Sequence, residues 1–153
     1  MMRLRPAHSE ELGALRELQD VSFSALATCY DEALRVAHSA AMAEEAWLED
    51  LRRSDIWVAE EAGVVLGTAG WIAQDEGVAR IRKVFVHPAA TRRGIATALV
   101  RAAEERSAAA RFVLRANLNA VPLYERLGYL PDRTGSMALP GGLSMPVLFM
   151  RKG

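Results

Sequence analysis

Two stretches of this chain carry residue types at spacings that can do chemistry. The first runs Val84, Phe85, Val86, His87, Pro88, then Thr91, Arg92, Arg93, Gly94, Ile95, Ala96 and Thr97: an apolar strand stopped by Pro, a short basic loop, and an Ala-rich helix. A helix start leaves several N–H groups without intrahelical acceptors, and its dipole favours negative charge. The amides from Arg92 to Thr97 can therefore converge on a phosphate or pyrophosphate. Gly94 permits close backbone approach, Ala96 keeps the first turn thin, and the two arginines can add charge-assisted contacts. The same string also reads as an ordinary strand-to-helix turn with a solvated loop. The second stretch places Asn117, Ala120 and Tyr124 at i, i+3 and i+7, on one face of a short helix and its entrance. Taken singly, Tyr124 reads as a packing aromatic and Asn117 as a helix cap.

The elements that position these residues follow from periodicity and punctuation. Residues 2–5 form a first strand ended by Pro6, and Ser9 caps a helix whose stripe is Leu12, Leu15 and Leu18. One Ala-rich helical region spans about Asp31 to Arg53, with Glu44, Glu45, Glu49 and Asp50 on a wet face. Turns at Glu61-Ala62-Gly63 and Asp75-Glu76-Gly77 divide three strands that end at Val86, an antiparallel meander. A helix follows Gly94 to about Ser107, then a strand from Arg111 to Ala116 and a short helix from Val121 stopped by Gly128. Two last strands, near Met137 and from Met145 to Met150, flank Pro140-Gly141-Gly142. Trp57 and Trp71 sit in strand patterns and read as core aromatics.

Bulk numbers bound the function. A chain of 153 residues with ordinary charged and aromatic content builds one domain with a real core. Nineteen Lys plus Arg against nineteen Asp plus Glu give zero net charge, so no global field recruits nucleic acid or an anionic membrane. The arginines also lack interleaved aromatics, which weakens a nucleic-acid reading further. One cysteine, Cys29, and three scattered histidines leave no metal site or disulfide framework to expect. No apolar run approaches the roughly 20 residues of a membrane span, and the first residues lead into Arg3 and Arg5 without a signal-type apolar core, so a cytoplasmic location is expected.

Together the two chemical stretches resemble the GNAT superfamily of acyl-CoA-dependent N-acyltransferases. The likeness lies in the strand Val84–Pro88, the loop-helix pattern [Gln/Arg]-x-x-Gly-x-[Gly/Ala] at Thr91–Ala96, and the Asn-x-x-Ala-x-x-x-Tyr pattern running from Asn117 through Gly128-Tyr129. The resemblance covers nearly the whole chain and implies an α/β fold with a mixed, mostly antiparallel, splayed sheet flanked by about four helices. It implies acetyl-CoA as co-substrate, its pantetheine lying along Val84, Phe85 and Val86 as an added strand would. A backbone N–H near Val84 or Val86 would then polarise the thioester carbonyl. Pyrophosphate would sit on the amides of Arg92 to Thr97, Asn117 would bond the pantetheine arm, and Tyr124 would protonate the departing thiolate. A phenol of pKa about 10 suits that step.

The sequence departs from the family pattern in two places. Thr91 stands where Gln or Arg is usual, which loosens one expected phosphate contact while leaving the backbone cradle and Thr91 itself in the expected binding set. The strand Ala79-Arg80-Ile81-Arg82-Lys83 lacks the carboxylate that several members use as a base, and so does Arg111-Phe112-Val113. His87 reads as structural, Glu60, Glu76 and Asp31 could act only through water, and no base is assigned. Arg80, Arg82 and Lys83 either hold a substrate carboxylate or face solvent. Phe23, Tyr30 and the acidic helix face fall where the family walls its acceptor site. Cys29 lies outside these segments, so transfer is expected to be direct, in a ternary complex, to a primary amine of a small molecule or peptide. A non-catalytic acyl-CoA sensor is the competing reading. The apolar strand Pro146–Met150 suggests pairing across a homodimer.

Overall fold

A computed structural model describes residues Met1–Gly153. Seven strands form one sheet: β1 (Arg3–Pro6), β2 (Asp55–Glu61), β3 (Val64–Asp75), β4 (Val78–Val86), β5 (Arg111–Asn117), β6 (Leu130–Leu139) and β7 (Leu143–Lys152), in the order β1-β2-β3-β4-β5-β7-β6. Helices α1 (Leu12–Leu26), α2 (Glu32–Ala41) and α3 (Glu44–Arg53) cover one face, and α4 (Ile95–Ser107) with α5 (Val121–Arg126) the other. All neighbouring strands are antiparallel except β4 and β5. The expected α/β class and mixed sheet are present, with five helices rather than four.

The single Ala-rich helical region divides in two. The chain leaves helical geometry at Met42, whose carbonyl accepts from Arg16 Nε at 3.1 Å, and Asp31 caps α2 by accepting from Leu34 N–H at 2.9 Å. The start of the first helix also differs. Ser9 opens a short 3₁₀ turn, and the Glu11 carboxylate accepts from His8 N–H at 2.9 Å and pairs with Arg5. The cap therefore lies at His8, whose own N–H is satisfied by the carboxylate three residues on, the reciprocal half of a capping box.

Apolar side chains on alternate positions of the strands supply both sides of the sheet. On one side Ile81, Leu114 and Ala116 pack against Leu99, Val100 and Ala103 of α4 and Tyr124 of α5. On the other, Trp47 packs with Leu15, Ile56 and Val58, and Phe23 with Tyr30, Met145 and Val147. Helix α4 sits close because residue 67 is glycine: a Cβ there would lie 3.0 Å from Ile95 Cγ2 and 3.0 Å from the Phe85 carbonyl. Its far end is held by Asp55, which accepts from Trp57 Nε1 at 3.0 Å, Trp71 Nε1 at 2.9 Å and Arg106 Nε at 2.8 Å. The two tryptophans are thus half-buried struts on the α4 side.

Strand β7 has β5 on one edge and β6 on the other, so the pairing across a dimer suggested by Pro146–Met150 is not available to it. The free edge at this end of the sheet belongs to β6. No helix is long and apolar enough to cross a membrane.

Candidate active site

Strands β4 and β5 run parallel and paired only from Val78 to Arg80 against Arg111 to Val113. Beyond that they part, and the edge of β4 from Ile81 to Val86 has no strand on that side. A bulge marks the parting: Lys83 and Val84 together oppose Ala69, and Lys83 takes φ 57°. Such a bulge bends a strand and re-aims its side chains. The Thr68 hydroxyl holds it by donating to the Lys83 carbonyl at 2.7 Å. A cleft of about 850 Å³ opens through the splay, within the usual size of ligand sites.

One end of the cleft is the loop before α4. The first helical bond runs from Ala98 N–H to the Gly94 carbonyl at 3.0 Å, and the amides of residues 92–97 have no acceptor within the protein. Arg92 at φ 64° and Gly94 at φ 75° fold the loop so that these donors gather at the helix start. A Cβ at residue 94 would meet nothing within 4 Å, so the requirement for glycine is conformational, and the open space is available to a ligand. Thr91, Arg92, Gly94, Ile95, Ala96 and Thr97 all line the cleft. Arg93 does not: its guanidinium pairs with Glu61 at 2.5 Å, which fastens the loop to β2. The exposed Thr91 hydroxyl donates to the Pro88 carbonyl of its own loop at 3.2 Å. His87 is structural, its Nδ1 accepting from Ala89 N–H at 3.1 Å.

The middle of the cleft is made by Val84, Phe85 and Val86 on one wall and Asn117, Ala120 and Tyr124 on the other. Tyr124 packs edge-on against Tyr129 at 5.9 Å between ring centroids, and its hydroxyl has no hydrogen bond within the protein. Burial pushes that phenol well above its ordinary range, so it stays protonated at every physiological pH. Tyr129, by contrast, is occupied: it donates to Glu104 at 2.7 Å. The Asn117 side chain likewise has no partner in the protein.

The opposite end lies under α1, α2 and α3. Arg115 and His38, which the sequence reading missed, are there, with Glu49 and Asp50 of the expected acidic face, now on α3. Asp50 joins Arg82 at 3.0 Å and Lys83 at 2.9 Å, and the Lys83 ammonium also lies 4.4 Å over the Trp47 ring. Arg80, Arg82 and Lys83 therefore wall the cleft instead of facing bulk solvent. The alternation Leu114, Arg115, Ala116, Asn117 held a signal, since it sets Arg115 on the face of Asn117. Phe23 lines this end; Tyr30 does not, because its hydroxyl is spent donating to the Pro146 carbonyl at 2.6 Å and accepting from Leu118 N–H at 2.9 Å. Of the water-linked bases considered, Glu60 pairs with Arg3 and Arg5 and Asp31 is a helix cap, while Glu76 lies in the β3–β4 turn. Cys29 is exposed and away from the cleft.

His38 stacks on Phe23 with centroids 3.8 Å apart, and burial, then Lys83 and Arg115, push its pKa down to about 4. A histidine kept neutral in the fold stabilises fully above its unfolded pKa of about 6.5, and that stability is lost as pH falls toward 4. Thermal melts from pH 7 to pH 4 should show a loss of up to about 3 kcal/mol from this residue. His38→Gln should flatten the slope in that window; an unchanged slope would remove His38 as its cause.

A model of the acetyltransferase (GNAT) family matches residues 14–129. Among solved structures, a GCN5-related N-acetyltransferase from Rhodopseudomonas palustris is 23% identical, with TM-score 0.86 over 99% of this chain and 94% of that one. The PaiA N-acetyltransferase from Thermoplasma acidophilum, solved in complex with coenzyme A, is 16% identical, with TM-score 0.81 over 99% and 98%. A ribosomal-protein-alanine N-acetyltransferase from Brucella melitensis is 24% identical, with TM-score 0.65 over 98% of each chain. At these identities the structures share the fold. No curated protein matches the sequence.

Proposed function

The chain belongs to the GNAT acetyltransferase family, and from that premise we propose that it is an acetyl-CoA-dependent N-acetyltransferase acting on a primary amine by direct attack in a ternary complex. The observation that carries the reading is the coincidence, in one cleft, of an unpaired strand edge, a run of unpaired amides and a tyrosine hydroxyl without a partner. When bound, acetyl-CoA supplies an acetyl group activated as a thioester.

The backbone edge at Val84 and Val86 offers the pairing a pantetheine arm needs, and one of its N–H groups would polarise the carbonyl under attack. The amides of Arg92 to Thr97 bind pyrophosphate, with Arg92 beside them, and the Asn117 amide bonds the arm. Arg93 serves as a tether of the loop. Tyr124 donates its phenolic proton to the departing sulfur, which takes it up as the C–S bond breaks. Cys29, outside the cleft, takes no part as an acyl carrier. On the acceptor side, Glu49 lines the cleft as a carboxylate able to take up the amine proton, whereas His38, its pKa pushed down to about 4, is too weak a base for that step.

The test is a screen of an amine library with acetyl-CoA, reading thiol release together with a mass gain of one acetyl group. Acetylated product formed in step with free thiol is the expected outcome. Saturable acetyl-CoA binding with no product from any amine would replace the enzyme by a sensor.

A further inference from the structure

The acceptor end of the cleft has more positive than negative charge, and its arrangement selects a substrate class. Register sets Arg80 of β4 opposite Val113 of β5. Arg82 and Arg115 lie two residues further along each strand, so they share the face of Arg80 at the point where the strands part. That face looks toward α1, α2 and α3; the residues between them, Ile81 and Leu114, face α4. The phosphate-binding amides belong to α4, on the other side of the sheet.

Asp50 is shared between Arg82 and Lys83, and one carboxylate cannot balance two cations. Arg82 Nε is buried with no acceptor. Arg80 and Arg115 form no ion pair or hydrogen bond within the protein, although both line the cleft; Arg80 is half-buried and Arg115 is exposed. Burial and mutual repulsion weaken their hold on the proton, the mark of cations lacking a counter-ion. A half-buried cation without a partner, as Arg80 is, is costly, and a bound anion relieves the cost, with Arg115 and the unpaired Arg82 Nε close by to share it.

Resting on the acetyltransferase reading above, we propose that the acceptor is a small amine that also carries a carboxylate, as an amino acid does, and that Arg80 and Arg115 grip this carboxylate at the fork of β4 and β5. Two guanidiniums present paired donors that match a carboxylate in the plane. The same cations repel polyamines and other acceptors of purely positive charge. They also favour the uncharged form of the acceptor's amine, the form that attacks, which fits a strand that lacks a carboxylate base.

The experiment compares each common α-amino acid with its carboxamide and with its decarboxylated amine as acetyl acceptors. The carboxylate form should be favoured by about 30-fold or more in kcat/KM, in line with a charge-assisted pair. Arg80→Met and Arg115→Met should each raise KM for the carboxylate form by roughly 10- to 100-fold, leave kcat far less affected, and shrink the preference over the carboxamide. Calorimetry on both variants should give an unchanged affinity for acetyl-CoA. A readout without turnover is the titration of the protein with free N-acetyl amino acids and their carboxamides, of which only the carboxylates should bind. Equal use of the three acceptor forms, or an unmoved KM in both variants, would overturn the proposal. A collapse of acetyl-CoA affinity in the variants would also overturn it, by assigning the arginines to the CoA phosphates. If no amine is acetylated although acetyl-CoA binds, the enzymatic reading fails, and the carboxylate titration separately decides whether the anion grip exists.

Discussion

Replacing Tyr124 with Phe is expected to lower kcat by about 100-fold or more, the usual worth of a positioned general acid. The fold should not notice. The ring packs against Tyr129 through its edge and the lost hydroxyl makes no hydrogen bond within the protein, so Tyr124→Phe removes no internal contact. Stability should therefore stay within about 0.5 kcal/mol of the parent, and acetyl-CoA should bind as before. Assays of thiol release beside a thermal melt check this. The loss should be smaller for acyl donors whose thiol leaves as a more stable anion, since these need less help from an acid. Unchanged thiol release across active acceptors would take the general-acid role from Tyr124.

Gly94→Glu should weaken acetyl-CoA by about 100-fold or more, because juxtaposed like charges cost several kcal/mol and each 1.4 kcal/mol is tenfold. A left-handed backbone adds strain of about 1–2 kcal/mol for a residue with a Cβ, but no atom of the protein lies within 4 Å of the space the Cβ would enter. Gly94→Asn separates the two effects. Asparagine tolerates a positive φ and carries no charge, so it should keep most of the affinity. Calorimetry on the three proteins checks the order: parent and Asn variant close together, Glu variant far weaker. Equal affinity in all three would remove the loop from the binding site.

The features legible in the sequence are those fixed by short-range chemistry. Gly and Pro punctuate the meander, Pro88 and Gly94 bracket the loop, and the spacing Asn117, Ala120, Tyr124 brings three residues to one cleft wall, as the structure has them. What stayed hidden depends on neighbours distant in sequence. Arg93 reads as a phosphate ligand from its loop alone, but Glu61, 32 residues earlier, holds it. Tyr30 reads as an acceptor wall, yet its hydroxyl is tied to residues 88 and 116 positions away. The break at Met42 leaves no Gly or Pro in the sequence; the Arg16 bond to its carbonyl comes from another helix. Arg80 and Arg82 read more readily as a wet strand face than as a carboxylate grip, because only the docking of α1–α3 turns that face into a chamber. The strand alternation alone carried a trace of Arg115, and nothing local marked His38.

If the splay between β4 and β5 with the loop before α4 is the acetyl-CoA site, amide hydrogen exchange with and without acetyl-CoA should show new protection concentrated in residues 81–86 and 92–97, whose amides include those left without acceptors in the free chain. Protection confined to other elements, or none at saturating acetyl-CoA, would contradict it.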